Sequence, residues 1–397
     1  MSQANLYAGL VGILAVESQR RTAPSGQANS SVRELWHKAA GTVLPAESKE
    51  AKPLPVLDAA AVDRLLALVA ECFSTTAATL LSAIHHLGPV HTRASDLPSS
   101  QAALFQELLT ETAGKLSILN DKPEETSEST LRALWQAAAG APLSAERATE
   151  VALPMLDPAA LARLRELLAR RSTGTPLAHL TGWQRFMGME LMTSKAALVP
   201  RKETELLGHA AMALARQLAA GQKTLRVIDV CTGAGNLALA LATHEPKAQV
   251  YASDLSSEAV ELARRNGALL GLAARVEFRQ GDFLMPFADG NFDRNIDLLV
   301  CNPPYISSAK VGTLPTEIIG HEPSLAFDGG PFGVKILQRL LSEAPQFLRP
   351  GGWLAFEVGL GQGPAIVDRL RRNAAYADLA AVVDAAGAAR AVVARVQ

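Results

Sequence analysis

The sequence predicts an α/β fold in which a doubly wound, Rossmann-like sheet follows an all-α N-terminal region, and three observations carry that expectation. From residue 225 onward, short β-branched and apolar runs alternate with helical periodicity, the pattern of βαβ units around a parallel sheet. Upstream, Leu and Ala recur at helical spacing, for example at Leu161, Leu164, Leu167 and Leu168. The chain is also too long for one small module: 397 residues, at roughly 100–200 per domain, call for two or three domains.

Taken in order, residues 6–16 form an apolar patch that lacks the Lys or Arg opening a secretory signal, so they read as a short amphipathic helix or a frayed terminus. Sliding the sequence against itself by 99 residues places Trp36 on Trp135 and aligns residues 33–41 with 132–140 without a gap. Leu54-Pro55-Val56-Leu57-Asp58 falls on Leu153-Pro154-Met155-Leu156-Asp157 at the same offset. A chance match of two Ala-rich helices is the bland alternative, but shared Trp, Gly, Pro and Asp argue for a duplicated helical unit. Asp157-Pro158 supplies an N-cap followed by proline at the first helical position. Residues 72–118 continue in helical periodicity, and the charged stretch 121–130 reads as a linker or an exposed turn.

Strands are expected at 225–231, 249–255, 275–280, 296–301 and 353–358, with helices at 236–244, 256–271 and 334–348 between them. Gly351-Gly352 reads as a turn, and residues 380–396 as a closing hairpin around Gly387, with a helix as the alternative. The resulting domain division is 1–120, a helical extension holding the first repeat copy; 121–182, a helical module holding the second copy; 183–200, a linker hairpin; and 201–397, the α/β domain.

Composition narrows the partners. With 38 basic against 39 acidic side chains the formal charge is −1, which argues against a nucleic-acid backbone as partner. Cys72, Cys231 and Cys301 lie far apart without a Cys-x-x-Cys pair, giving neither a disulfide framework nor a thiolate metal site, and a cytoplasmic setting is expected. No stretch reaches the ~18 apolar residues of a membrane span. His321 beside Glu322, and His85-His86, lack a further spaced ligand, so no metal is expected. Arg163, Arg165, Arg170 and Arg171 read as a solvated basic helix face, Trp36 and Trp135 as core anchors, and Cys231 and Cys301 as small buried thiols.

Two constellations carry chemistry. Asp229-Val230-Cys231-Thr232-Gly233-Ala234-Gly235-Asn236 joins the first strand to its helix, where glycines admit a close ligand and the helix start offers free N–H groups. Asp254 ends the second strand, where a carboxylate can take both ribose hydroxyls, and Asp282 with Phe283 follows the third, where an adenine can be hydrogen-bonded and covered. Asp229, Thr232, Gly233, Gly235, Asp254, Leu255, Asp282, Phe283 and Asn302 thus outline a site for an adenosine-bearing cofactor. Directly after the fourth strand stands Cys301-Asn302-Pro303-Pro304-Tyr305. Two prolines fix φ and remove two donors, leaving local carbonyls free as acceptors. The Asn302 side-chain oxygen and the Pro303 carbonyl can then accept both N–H bonds of an amide or aromatic amine, orienting a nitrogen whose lone pair is otherwise delocalised, while Tyr305 walls a planar group.

These segments, with Val199-Pro200-Arg201-Lys202-Glu203-Thr204-Glu205, His321-Glu322-Pro323, Gly329-Gly330 and Pro350-Gly351-Gly352, resemble the release-factor glutamine methyltransferase family, class I enzymes that use S-adenosyl-L-methionine. Thr175-Pro176-Leu177-Ala178-His179-Leu180-Thr181-Gly182 is similar to the family's link between helical and catalytic domains. The resemblance implies methyl transfer to the side-chain amide nitrogen of a protein glutamine, with Gly233, Gly235, Asp254 and Asp282 at the cofactor and Asn302, Pro303 and Tyr305 at the amide. This chain departs from the family pattern at Lys202, at Phe332 and in its N-terminal extension. A nitrogen of a specialised metabolite is the alternative acceptor, a flipped nucleic-acid base the third, and a non-catalytic cofactor-binding module the rival from another class. The duplicated helical region is a candidate surface for a homodimer or a partner.

Overall fold

The computed structural model describes residues 99–114 and 121–397. The apolar patch at 6–16, the first repeat copy with Trp36, Cys72 and His85-His86 lie outside the described residues. By its internal contacts the chain divides into two compact units, Met1–Phe105 with Thr149–Pro154, and Gln106–Ala148 with Met155–Gln397. Of the first unit, residues 99–105 belong to helix α1 (Ser99–Ala113). Apart from Thr149–Pro154, the residues that follow belong to the second unit.

Local chemistry sets its helices. In α2 (Ser127–Ala138) the Thr126 hydroxyl accepts from the Ser129 N–H while the Ser129 hydroxyl accepts from Thr126 N–H, a reciprocal cap. Trp135 in this helix is fully buried, as a core anchor should be. A short α3 (Ala145–Thr149) precedes α4 (Pro158–Ser172), which starts as its sequence predicts, with Asp157 accepting from Ala160 N–H at 2.7 Å. Helix α5 (Leu177–Thr181) stops at Gly182, whose φ of 79° is left-handed. A hairpin of β1 (Trp183–Phe186) and β2 (Met189–Met192) follows, turning at Met187 and Gly188, both with positive φ.

Two sequence expectations fail in this region. The charged stretch 121–130 is not an exposed linker: Lys122 and Glu125 are 2% and 1% exposed. Nor is Arg171 solvated, because its Nη2 donates to Glu125 Oε2 at 2.9 Å and its Nη1 to Glu317 Oε2 at 3.1 Å, while Lys122 also binds Glu317. Two cations and two carboxylates meet, so each buried charge finds a partner; composition alone makes a charge run look solvated because the partners lie as far away as residue 317.

Helix α6 (Thr204–Ala219) leads into the sheet: β3 (Leu225–Val230), α7 (Asn236–His244), β4 (Ala248–Asp254), α8 (Ser257–Leu269), β5 (Val276–Gln280) and β6 (Ile296–Cys301). After β6 come α9 (Ser308–Val311), α10 (Thr316–Ile319), α11 (Lys335–Phe347), β7 (Leu348–Glu357), α12 (Gly363–Arg371), β8 (Tyr376–Val383) and β9 (Ala389–Val396). The strand order is β5-β4-β3-β6-β7-β9-β8, parallel except for β9, which runs antiparallel to both neighbours. The last segment is therefore a hairpin, turned at Gly387 with φ 80°. One core cluster packs α6, α7 and α8 on one face of the sheet, and another packs α11 and α12 on the opposite face. Every residue of β6 is buried, as expected for a central parallel strand covered on both sides.

The turn expected at Gly351-Gly352 lies instead inside β7, which begins five residues earlier than the apolar run suggests. A Cβ at Gly352 would stand 3.0 Å from the Ile296 carbonyl oxygen and 3.1 Å from that of Asp297. Glycine there lets β7 press against β6 at an irregularity in their register, so strand pairing overrides the local turn signal.

Candidate active site

Strand order reverses between β3 and β6, and the carboxyl ends of these two neighbours carry the two motifs. An open α/β sheet forms its ligand crevice at such a switch point. A cavity of about 470 Å³ lies there, lined among others by Thr232, Gly233, Asp254, Leu255, Asp282, Phe283 and Asn302. A smaller cavity of about 120 Å³ adjoins it, lined by Pro303, Tyr305, Glu203, Ile318, Phe327 and Glu357. Leu198, Arg201, Thr204, Asn302 and Ala326 line both.

Two predicted cofactor residues stand behind the surface. Asp229 is 1% exposed, and its Oδ2 accepts from the Thr232 hydroxyl at 2.6 Å and from Ala238 N–H at 3.1 Å, which ties the glycine loop to the first turn of α7. Burial pushes the Asp229 carboxyl up to about 7. Gly235 (φ 83°) is packed rather than open, since a Cβ there would meet Ala263, Leu239 and Phe278 at 3.1–3.2 Å. Both shape the loop, and neither lines the cavity. Asp254 does line it; Oδ2 accepts from Gly233 N–H at 2.9 Å and Oδ1 from Ser256 N–H at 3.0 Å, while Ser256 itself caps α8. Burial raises the Asp254 pKa. These contacts fix the orientation of the carboxylate at the cavity wall.

Asp282 is joined by a residue that sequence reasoning missed. Arg339 of α11 places Nη1 2.9 Å and 3.1 Å from the two Asp282 oxygens and its guanidinium 4.8 Å from the Phe283 ring centroid. The Phe283 carbonyl accepts from the buried Ser253 hydroxyl at 2.7 Å, holding a backbone with φ 57°. The cavity, with its paired carboxylates and one aromatic wall, fits an adenosine-bearing cofactor.

On the β6 side, Asn302 Nδ2 donates to the Thr204 hydroxyl at 3.2 Å. Its Oδ1 and the Pro303 carbonyl accept no hydrogen bond among the described residues, so both remain available as acceptors. Tyr305 lines the smaller cavity; its hydroxyl donates to Glu357 Oε1 at 2.9 Å, and burial with that carboxyl raises its pKa. Glu357, at the end of β7, is 2% exposed and burial pushes it up to about 7, while the Thr204 and Tyr305 hydroxyls and Arg390 oppose the shift. Thr204 stands in a segment the sequence had marked, whereas Glu357 has no motif signal because it is the last residue of an apolar strand.

The loop after β6 is held from several directions. The Gln362 amide donates to the carbonyls of Tyr305 at 3.1 Å and Gly333 at 3.3 Å. Glu322 accepts from Arg201 Nη2 at 2.5 Å and from Val199 N–H at 2.9 Å. His321 stands edge-on to His179, ring centroids 6.4 Å apart, and burial holds His179 down to about 4. No group of three metal-capable side chains occurs among the described residues, nor is any described helix long and apolar enough to cross a membrane. The departures at Lys202 and Phe332 touch neither cavity: Lys202 Nζ pairs with Glu146 at 2.8 Å and Glu205 at 2.9 Å, and Phe332 is 84% exposed.

A family described as a methyltransferase domain matches residues 222–368. Among relatives, the release factor glutamine methyltransferase of Moorella thermoacetica is 41% identical over 232 residues, 58% of this chain and 79% of that protein. That of Bradyrhizobium diazoefficiens is 38% identical over 271 residues, 68% of this chain and 89% of that protein. Among solved structures, a human methyltransferase 10 domain containing protein aligns with a TM-score of 0.40 at 17% identity, over 58% of this chain and 96% of that one. Identity of this order across most of the relatives' length, on a sheet whose switch point holds both motifs, means that the chain belongs to the release factor glutamine methyltransferase family, S-adenosylmethionine-dependent enzymes of the methyltransferase class.

Proposed function

We propose that this chain transfers a methyl group to the side-chain amide nitrogen of a glutamine in a peptide chain release factor. The observation that supports this most is the pair of cavities meeting at Asn302. The larger falls within the roughly 300–1,000 Å³ of sites for small organic ligands. The smaller, at about 120 Å³, is below that range and matches a side-chain tip rather than a whole metabolite. The departures at Lys202 and Phe332 lie away from the two cavities, which removes these two arguments for another acceptor.

S-adenosylmethionine supplies an electrophilic methyl on a sulfonium. Thr232, Gly233, Asp254, Leu255, Asp282 and Phe283, which line the larger cavity, would hold and orient it there. Asn302 Oδ1 and the Pro303 carbonyl accept the two amide N–H bonds and turn the nitrogen lone pair toward the methyl, and Tyr305 walls the amide plane. Transfer of the methyl would form one N–C bond at the expense of the sulfonium S–C bond, and the nitrogen would then give its extra proton to solvent. The helical module at 121–182 contributes the acceptor-recognising side, its Lys122 and Arg171 gripping Glu317 beside the smaller cavity.

Labelled cofactor offered together with a bacterial release factor, small amides and amines, and nucleic acid tests this. Label is expected on the release factor and is lost when its target glutamine is replaced; label on small molecules or nucleic acid alone overturns the assignment. Asn302→Ala should abolish turnover while leaving cofactor affinity within about threefold, since only one wall residue of the larger cavity changes.

A further inference from the structure

Residues 310–321 supply part of the wall of the smaller cavity, through Leu314 and Ile318. Among the described residues, the hydrogen bonds of this segment stay local, between residues 307 and 322, with one exception. Glu317 is that exception. It is 4% exposed, its Oε1 accepts from Lys122 Nζ, and its Oε2 accepts from Arg171 Nη1 at 3.1 Å. Lys122 stands in the turn before α2 and Arg171 in the last turn of α4, so both donors belong to the helical module. One carboxylate therefore makes all the hydrogen bonds that tie a cavity wall to the rest of the fold.

The module holds both cations of this group but only one of its two carboxylates. Arg171 Nη2 donates to Glu125 Oε2 at 2.9 Å, and Lys122 Nζ stands 3.8 Å from Glu125 Oε1. Without Glu317, two buried cations would share one carboxylate, an imbalance that burial makes costly; with it, the charges match. The segment thus finds a fixed seat only where its carboxylate completes the group. Resting on the glutamine reading above for its catalytic consequence, we propose that Glu317 is a positioning residue: clamped by Lys122 and Arg171, it sets the Leu314 and Ile318 wall, so that the helical module shapes the seat of the acceptor. The adjoining Asp121 lines the smaller cavity and pairs with Arg201 at 3.4 Å, so the same turn grips a second lining residue. Lys122, Glu125, Arg171 and Glu317 line neither cavity, which makes their action on the acceptor indirect and leaves the cofactor side untouched.

The test uses the full chain and two variants, Glu317→Gln and the double Lys122→Met with Glu317→Gln. The double leaves one cation, Arg171, with one carboxylate, Glu125, and so removes the clamp while keeping the charges matched. It should therefore unfold at higher denaturant than the single variant, which leaves two cations with one carboxylate. In the folded double variant, backbone amides of residues 310–321 should exchange with deuterium about tenfold faster than in the wild type, while residues 229–244 on the cofactor side keep their rates within about twofold. With the release factor as acceptor, KM should rise about tenfold, with kcat and cofactor affinity within about threefold. Wild-type protection of residues 310–321 in the double variant, or equal acceleration at 229–244, overturns the proposal whichever molecule is methylated. A single variant as stable as the double overturns it too. Failure of the glutamine reading shows separately, as absence of wild-type product on the release factor while the local exchange difference persists.

Discussion

Gly333→Ala is the sharpest perturbation of the acceptor loop that leaves every polar group in place. Gly333 has φ 68°, and a Cβ there would stand 2.2 Å from the Tyr305 carbonyl oxygen and 3.0 Å from Ser307 N. An ordinary contact needs at least 3.4 Å, against 2.2 Å available, a deficit of about 1.2 Å that backbone on both sides must absorb. The left-handed conformation adds roughly 1 kcal/mol for a non-glycine residue. Because Tyr305 is two residues from Pro303, the loop carrying the two acceptor groups must move by a distance of this order. A misplacement of about 1 Å costs on the order of 100-fold in turnover. The assay is kcat in steady state beside cofactor affinity by calorimetry. Turnover should fall about 100-fold while cofactor affinity changes little, since Gly333 lies outside the larger cavity. Gly330→Ala is the control: φ is also positive, but the new methyl would meet Lys335 Cβ at 3.1 Å, which needs a shift of a few tenths of an ångström where Gly333 needs more than one, so the cost should be smaller. Turnover of Gly333→Ala within about threefold of wild type would refute the argument.

Glu322→Ala leaves the Arg201 guanidinium buried with only Asp121 at 3.4 Å and should lower unfolding stability by about 3 kcal/mol in denaturant titration; a loss under about 1 kcal/mol would show the pair to be dispensable. Arg339→Ala removes a half-exposed ion pair and a cation–π contact, together worth about 1 kcal/mol, so cofactor affinity should weaken about fivefold in calorimetry. Tighter binding would mean instead that Arg339 competes with the cofactor for Asp282. Asp229 has a folded-state pKa raised from 3.8 to about 7, so its contribution to stability is complete below pH 4 and is lost as pH rises toward 7. Asp229→Asn keeps an acceptor for Thr232 and Ala238 and should flatten that decline in stability between about pH 4 and 7, measured by denaturant titration; an unchanged slope would remove Asp229 as its source.

How far the site was legible in the sequence depended on the range of the interactions. The glycine loop, Asp254, Asp282 and Asn302 to Tyr305 stand at strand ends, and alternating apolar runs locate strand ends well enough to place them together. Glu357 and Arg339 carry no such marker. One ends an apolar strand and the other sits mid-helix, and only the pairing of β7 with β6 and the packing of α11 bring them to the site. Asp229 was legible as part of the motif but not in its role, because whether a carboxylate faces ligand or helix depends on the direction of one side chain.

Local periodicity, capping residues and turn glycines are properties of neighbouring residues, and the sequence by itself therefore determined the α/β class, the two motifs and the family. Charge placement was decided by the tertiary structure alone. Lys122, Glu125 and Arg171 look solvated in any window of sequence, yet they are buried because Glu317 closes the group from another part of the chain. Removing charges from water is tolerable only when opposite charges arrive at hydrogen-bonding distance, and that arrival is a fact of three-dimensional packing.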